Sequence, residues 1–463
     1  MLSGVPHLDK ILFGGFPQNS ITVVGGIPGA GKTTLVQQIC FHNASPERKV
    51  LFFQTLSEPT AKTLRYLQQF SFFDADKIEN GSVELVDLGG LMRSKGLEQV
   101  PAKIIEHLKR VRPSIVVIDS FKVFSDLASN KEELRKFAYE VAINLMAWEC
   151  TGFLLGEFSV EELQANPLSS IVDGIVLMQA KEISGEQQRF IQVMKMRGTD
   201  HAREEFPFVL NVEGIEIYPP RVILKDEASV DKKKPATRKK LGIASLDKLL
   251  GPGILAGSSL LVSGMAGTGK TILSLEAIYR GAKDFNENGI FFSFLETKEN
   301  LLSTARELGW DLEREIKRGK IEIIHIPQSS ILVERDILLM SDHIEKMQAK
   351  RVAIDSVSVF LHKVTDPSIM REKIYQLTSL VRKADAIGFF STDIPYGSSH
   401  LSRFGVEETV VDGIILLTAA EERFTRGRYL EIYKLRNTNH QNGRYALQIK
   451  KGGITVSASK PKK

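Results

Sequence analysis

Two octets in this chain, Gly26-Ile27-Pro28-Gly29-Ala30-Gly31-Lys32-Thr33 and Gly264-Met265-Ala266-Gly267-Thr268-Gly269-Lys270-Thr271, spell the same pattern, G-x-x-x-x-G-K-T. These residue types suit one task, gripping a polyphosphate. Glycines let backbone N–H groups turn inward, the lysine reaches the terminal phosphates, and the threonine hydroxyl shares in holding magnesium. Each octet follows an apolar strand-like run and opens an apolar-periodic stretch, the context such a loop requires. The residues expected to hold nucleotide are Gly29, Ala30, Gly31, Lys32, Thr33 and Thr34 in the first copy, and Gly267, Thr268, Gly269, Lys270, Thr271 and Ile272 in the second.

Further candidates lie downstream of each octet. Asp119 and Asp355 close the runs Ile115-Val116-Val117-Ile118 and Arg351-Val352-Ala353-Ile354, as an aspartate does when it orders a magnesium shell beside a phosphate loop. With Thr33 and Thr271 they are the expected metal positions. Hydrolysis also needs a carboxylate that orients or deprotonates water just beyond a neighbouring strand. Glu58 and Glu296 are the available groups, and each can equally be read as a solvated charge or a helix N-terminal acid. Lys195, Arg197, Lys434 and Arg436 sit two by two on late strand-like runs, spaced to leave one face. Two such cations either face water or meet a phosphate, since burying them without an anion is costly.

The elements that must position these residues repeat. The offset between the octets also maps Leu8-Asp9-Lys10 onto Leu246-Asp247-Lys248, and Lys195-Met196-Arg197 falls near Lys434-Leu435-Arg436. The reading is a tandem duplication of a whole domain, with residues 1–220 and 241–455 as the copies, 221–240 as a basic flexible connector and 456–463 as a basic tail. Within the first copy, short apolar runs at 20–25, 50–55, 114–119, 152–156 and 174–178 alternate with amphipathic stretches at 32–42, 61–70 and 131–149. That alternation predicts an α/β domain with a mostly parallel sheet flanked by helices, its ligand at the carboxyl ends of the strands.

Composition narrows the class. With 463 residues and a 43% apolar fraction, ordinary packed cores are expected. No apolar run approaches the roughly 20 residues that span a bilayer, and no secretory leader is apparent, so a soluble, cytoplasmic protein is expected. Cys40 and Cys150 are expected to be buried free thiols. The net charge is +5, but residues 225–240 hold seven Lys or Arg against three acids and the last four residues add three lysines, leaving the rest at −2. A nucleic-acid groove in the folded body is therefore not favoured.

These residues resemble the KaiC family within the RecA-like P-loop ATPases, over nearly all of both halves. Gly4-Val5-Pro6-His7-Leu8-Asp9 and Gly242-Ile243-Ala244-Ser245-Leu246-Asp247 look like the family's entry motif, and Lys195-Met196-Arg197-Gly198-Thr199-Asp200-His201 is similar to its strand motif. The resemblance implies a homo-hexameric ring with ATP and Mg²⁺ at subunit boundaries. There Lys195, Arg197, Lys434 and Arg436 would reach a neighbour's terminal phosphate. It also implies regulatory protein partners. Two departures stand out. Where the family usually has two adjacent glutamates, this chain has Leu56-Ser57 and Leu295-Glu296, so slow turnover is expected. Where clock members phosphorylate an adjacent Ser and Thr, this chain has Glu408 and Thr409; Thr409 is either a phosphate acceptor or a half-buried β-branched residue, with the second as default.

The leading functional expectation is a two-domain ATPase acting as a nucleotide-driven regulatory switch. A serine/threonine autokinase in the second half and a DNA-dependent ATPase or recombination accessory are the alternatives.

Overall fold

The computed structural model describes the chain apart from residues 56–59, 96–98, 167, 184–185, 220–236, 396–397, 399, 423–424 and 459–463. It divides into two compact units, Met1–Asp226 and Glu227–Lys463. Each is a nine-stranded sheet flanked by helices, and among the described residues no helix is long and apolar enough to cross a membrane.

In the first unit the elements that matter are β1 (Ile21–Gly26), α1 (Lys32–Asn43), β2 (Val50–Gln54), β3 (Val83–Asp87), β4 (Ile115–Asp119), α2 (Lys131–Ala147), β5 (Thr151–Gly156), α3 (Leu168–Ile171), β6 (Gly174–Ile183), β7 (Glu186–Met196), β8 (Glu205–Asn211) and β9 (Gly214–Ile217). The sheet order is β3-β2-β4-β5-β1-β6-β7-β8-β9. Strands β3 to β6 are parallel, and the last three are added antiparallel.

The second unit repeats the plan with β10 (Ser259–Gly264), α4 (Lys270–Phe285), β11 (Gly289–Ser293), β12 (Ile321–His325), β13 (Arg351–Asp355), α5 (Pro367–Lys383), β14 (Ile387–Asp393), α6 (Glu407–Val410), β15 (Gly413–Glu422), β16 (Thr425–Leu435), β17 (Arg444–Lys450) and β18 (Gly453–Ala458). Its order is β12-β11-β13-β14-β10-β15-β16-β17-β18. Arg238 and Lys239, read from sequence as connector, pair with Ile254–Leu255 in this unit, and Val456–Ala458, read as tail, complete β18.

Both faces of the central parallel strands are buried, which is why they read as nearly unbroken apolar runs. Val24, Phe52, Val117 and Phe153 pack beneath α1 with Leu35, Val36 and Ile39. Their sequence neighbours Val23, Phe53, Val116 and Leu154 point the other way, against Phe137, Val141 and Leu145 of α2. Each fully buried side chain of this kind contributes about 1.5–3 kcal/mol. Cys40 and Cys150 are buried and free.

Candidate functional site

Each phosphate loop leaves a central strand and turns directly into a helix. In the first unit Gly31 caps α1 at φ 97°, and in the second Gly269 caps α4 at φ 106°. Both lie in the left-handed region that glycine occupies without strain. At the strand end, a Cβ on Gly26 would collide with the Met178 carbonyl, and one on Gly264 with the Leu417 carbonyl. The first-turn N–H groups have no intrahelical acceptors and carry the positive end of the helix dipole, so an anion is favoured there.

The lysines lie across the loops. Lys32 Nζ donates to the Gly26 and Ile27 carbonyls at 3.0 and 2.8 Å, and Lys270 Nζ to Gly264 and Met265 at 2.9 and 3.0 Å. Burial pushes the Lys32 ammonium down, opposed by Glu157 and Asp119. Thr34 and Ile272 sit half-buried on the first helical turn. Ala30 is buried, as is Thr268, whose hydroxyl donates to the Met265 carbonyl.

Thr33 Oγ1 donates to Asp119 Oδ2 at 2.7 Å, and Thr271 Oγ1 to Asp355 Oδ2 at 2.6 Å. Hydroxyl and carboxylate oxygens without a soft ligand suit a hard cation such as magnesium. In the second unit Ser391 also donates to Asp355. Burial raises the Asp355 carboxyl, opposed by Ser391, Thr271 and Lys270. Asp119–Ser120 and Asp355–Ser356 are cis peptides in the two units.

Glu296 follows β11, half-buried, with its amide donating to Ser293 Oγ at 3.1 Å. Its carboxyl is raised by burial and then by the charge of Asp355, and two residues earlier the Phe294 amide donates to the Asp355 carbonyl at 2.7 Å. Glu58 lies outside the described residues.

The register reveals groups that spacing does not. Gly25 pairs with Gly156 and Gly264 with Asp393, so Glu157 and Asp393 follow the same strand beside each loop. Asp393 is ion-paired to Lys270 at 2.8 Å. Nothing in sequence flags these acids, because the partner lysine is more than a hundred residues away.

The late cation pairs occupy the opposite, amino-terminal end of the parallel strands. Val23 pairs with Ile175, which pairs with Lys195, three residues short of the level of Gly26. At about 3.3 Å per residue, that is about 10 Å down the sheet from the unit's own loop. Lys434 is placed alike, opposite Ile414 and Leu261. A bulge interrupts each hairpin beside the pair and re-aims the side chains.

The lysines are half-buried, and their ammonium groups do not stand free. Lys195 Nζ donates to the Ser169 and Val172 carbonyls at 2.9 and 2.6 Å; Lys434 Nζ donates to Glu408 and Val411 at 3.0 and 2.9 Å. Burial lowers both ammonium groups, and the adjacent Arg197 or Arg436 lowers them further. The arginines remain about half exposed at 54% and 50%, each 3.8 Å from an aspartate, Asp173 or Asp412. The lysines thus fix a platform, and the guanidinium groups are the outward-facing cations. Thr409 lies on that platform and is exposed, not half-buried.

The family model for the KaiC ATPase matches residues 1–222 and 239–461. The circadian clock protein KaiC3 of Synechocystis sp. is 27% identical over 98% of this chain and 91% of its own. The circadian clock oscillator protein KaiC of Picosynechococcus sp. is 24% identical over 98% of this chain and 89% of its own. That of Synechococcus elongatus is 34% identical over 46% of this chain and 43% of its own. A chain whose two halves both carry the loop, the strand-end aspartate and the match belongs to the KaiC ATPase family.

Proposed function

We propose that this protein is a ring-forming, two-site ATPase whose nucleotide state is read by partner proteins as a regulatory switch. The observation that carries the reading is the repeated separation of parts: a phosphate cradle at one end of each sheet, and an outward-facing arginine at the other. A head-to-tail hexameric ring brings the two ends together between copies.

ATP is the substrate, and magnesium, held by Thr33 with Asp119 or Thr271 with Asp355, supplies charge neutralisation on the phosphates. Lys32 and Lys270 exchange their carbonyl acceptors for phosphate oxygens. Glu296 orients water and accepts its proton, favoured by a carboxyl that burial raises from its ordinary value. In the first unit Glu58 is the corresponding candidate. Arg197 and Arg436, steadied by Lys195 and Lys434, stabilise charge on the transferred group of a neighbouring copy. Differential contact with the γ-phosphate, absent in the diphosphate, drives the switch. Residues 1–220 and 241–455 serve as the two ATPase domains, and the setting is cytoplasmic.

The test is ATP turnover with magnesium. Lys32→Ala combined with Lys270→Ala is expected to abolish it, and phosphate release persisting above a contamination control would refute the assignment.

A second reading, autophosphorylation, is favoured by one feature. Thr409 opens into a cleft of about 480 Å³ lined by Arg371, Arg382 and Arg436 together with Glu372 and Tyr375, and the three guanidinium groups suit a phosphate once made. An added phosphate in intact mass after incubation with ATP supports it; unchanged mass while ATP is consumed removes it.

A further inference from the structure

The platform under Lys434 and Arg436 is built differently from its counterpart. Lys195 binds the carbonyl of Ser169 and Lys434 that of Glu408, which places Leu168 and Glu407 at the same position of α3 and α6. Leu168 is 1% exposed and sits in an apolar cluster. Glu407 is 0% exposed. A carboxylate buried there is tolerated only because it is caged. It accepts from Ser402 Oγ at 2.7 Å, Thr392 Oγ1 at 3.1 Å, and the Val406 and Phe404 amides at 3.2 and 3.3 Å. A leucine already suffices in the first unit, so packing alone does not call for the acid.

The cage connects the two ends of the site. Thr392 immediately precedes Asp393, the partner of Lys270, so one wall of the cage is the strand end beside the phosphate loop. The other wall is α6, whose Glu408 and Thr409 carbonyls accept from Lys434 and Arg436 at 3.0 and 3.5 Å. Ser402 is within hydrogen-bonding distance of both Glu407 and Glu408. A hydroxyl has one hydrogen to donate, so it serves one carboxylate at a time. Such a hydroxyl can shift from one acceptor to the other, the kind of paired arrangement through which two sites can couple. A phosphate that takes up Lys270 would act on Asp393, the residue next to Thr392 on the strand paired with the loop's own strand.

We propose that Glu407 is a positioning residue that ties the placement of Arg436 to the occupancy of the same unit's phosphate loop, so that ATP bound by one copy sets the arginine serving the next. This rests on the reading that Arg436 acts on a neighbouring copy.

The test uses the full chain with the first site silenced by Lys32→Ala, following turnover against ATP concentration. The parent is expected to respond cooperatively, with a Hill coefficient above unity. Glu407→Leu, which installs the first unit's residue, is expected to lower kcat about tenfold to a hundredfold, leave half-saturating ATP within about twofold, and bring the Hill coefficient to unity. Thr392→Val, which leaves Ser402 on Glu407, is expected to remove cooperativity with a smaller loss of kcat. A non-cooperative parent, or parental cooperativity in both variants, overturns the inference. Parental cooperativity in Thr392→Val alone overturns the link to the loop, and that variant decides the matter if Glu407→Leu does not fold. Arg436→Ala separates the two levels: if it keeps parental turnover, the reading of Arg436 fails; if turnover is lost while Glu407→Leu stays parental, only this inference fails.

Discussion

The two units share one backbone plan and furnish it differently around the phosphate loop. Matching strands sets Leu155, Gly156 and Glu157 against Ser391, Thr392 and Asp393, and Ile115 against Arg351. The amides of Thr55 and Phe294 both donate to the carbonyl of the strand-end aspartate. Counting along the sequence from them, the residue two positions on is Ser57 in the first unit, outside the described residues, and Glu296 in the second. At each of these positions but one the second unit carries the more polar group, and at that one an acid stands in both. A parallel sheet can thus keep its strand ends in place with apolar or hydrogen-bonded residues alike. In the second unit those choices put Thr271 and Ser391 on the two oxygens of Asp355 and set Glu296 where the charge of Asp355 raises its carboxyl.

The largest way to break that comparison is at Arg351. It is fully buried, ion-paired to Glu287 at 2.7 Å, and donates to the Lys240, Leu241 and Ala277 carbonyls. Arg351→Met removes those donors and is expected to cost the second unit about 3–5 kcal/mol in denaturant unfolding. Ile115→Val at the equivalent place is expected to cost the first about 1 kcal/mol. Similar losses in both would mean the buried cation adds nothing that packing does not.

Chemistry gives the next contrast. Glu296→Gln is expected to lower second-site turnover about a hundredfold, about 2.7 kcal/mol of barrier, when measured with Lys32→Ala. Ser57→Ala, measured with Lys270→Ala, is expected to leave the first site unchanged. With Glu296 raised by burial, second-site activity should climb with pH through a window above the ordinary carboxylate range.

The smallest effect separates the units by their thiols, since both cysteines lie in the first. Burial pushes Cys150 from 9.0 up to about 12 and Cys40 higher still. The folded unit therefore keeps protons that the unfolded chain releases. That stabilisation is complete below pH about 9 and is lost as pH rises toward 12, by about 1.4 kcal/mol per pH unit for each thiol. Alkaline unfolding should weaken the first unit selectively; equal weakening of both would contradict it.

Much of this was legible in the residues. The parallel strands fall within a residue or two of the apolar runs, except for the extension of β6, because burial on both faces leaves an unbroken mark. β3 was not anticipated, since Glu84 and Asp87 interrupt its apolar pattern at the sheet edge. The loop residues stand out because gripping phosphate needs a fixed local spacing, and the aspartates because each closes an apolar run. Glu157, Asp393, Ser391 and Glu407 could not. Each meets its partner only through sheet register or a returning loop, and a hydroxyl or acid at a strand end looks ordinary until its neighbour is known. For the late pairs the two-residue spacing is readable in sequence, but the carbonyls that hold the lysines are not.

The central claim is that one copy completes the site of the next, and subunit mixing tests it most directly. In the Lys32→Ala background, Glu296→Gln keeps a loop that binds ATP but lacks the group that takes the proton from water, and Arg436→Ala lacks the arginine, so each alone should be nearly inactive. Mixed equally and allowed to exchange, they form junctions where an intact cradle faces an intact arginine. Turnover should then return to roughly a quarter of the parental rate, the share of such junctions in a randomly mixed ring. A mixture as inactive as its components would contradict the account.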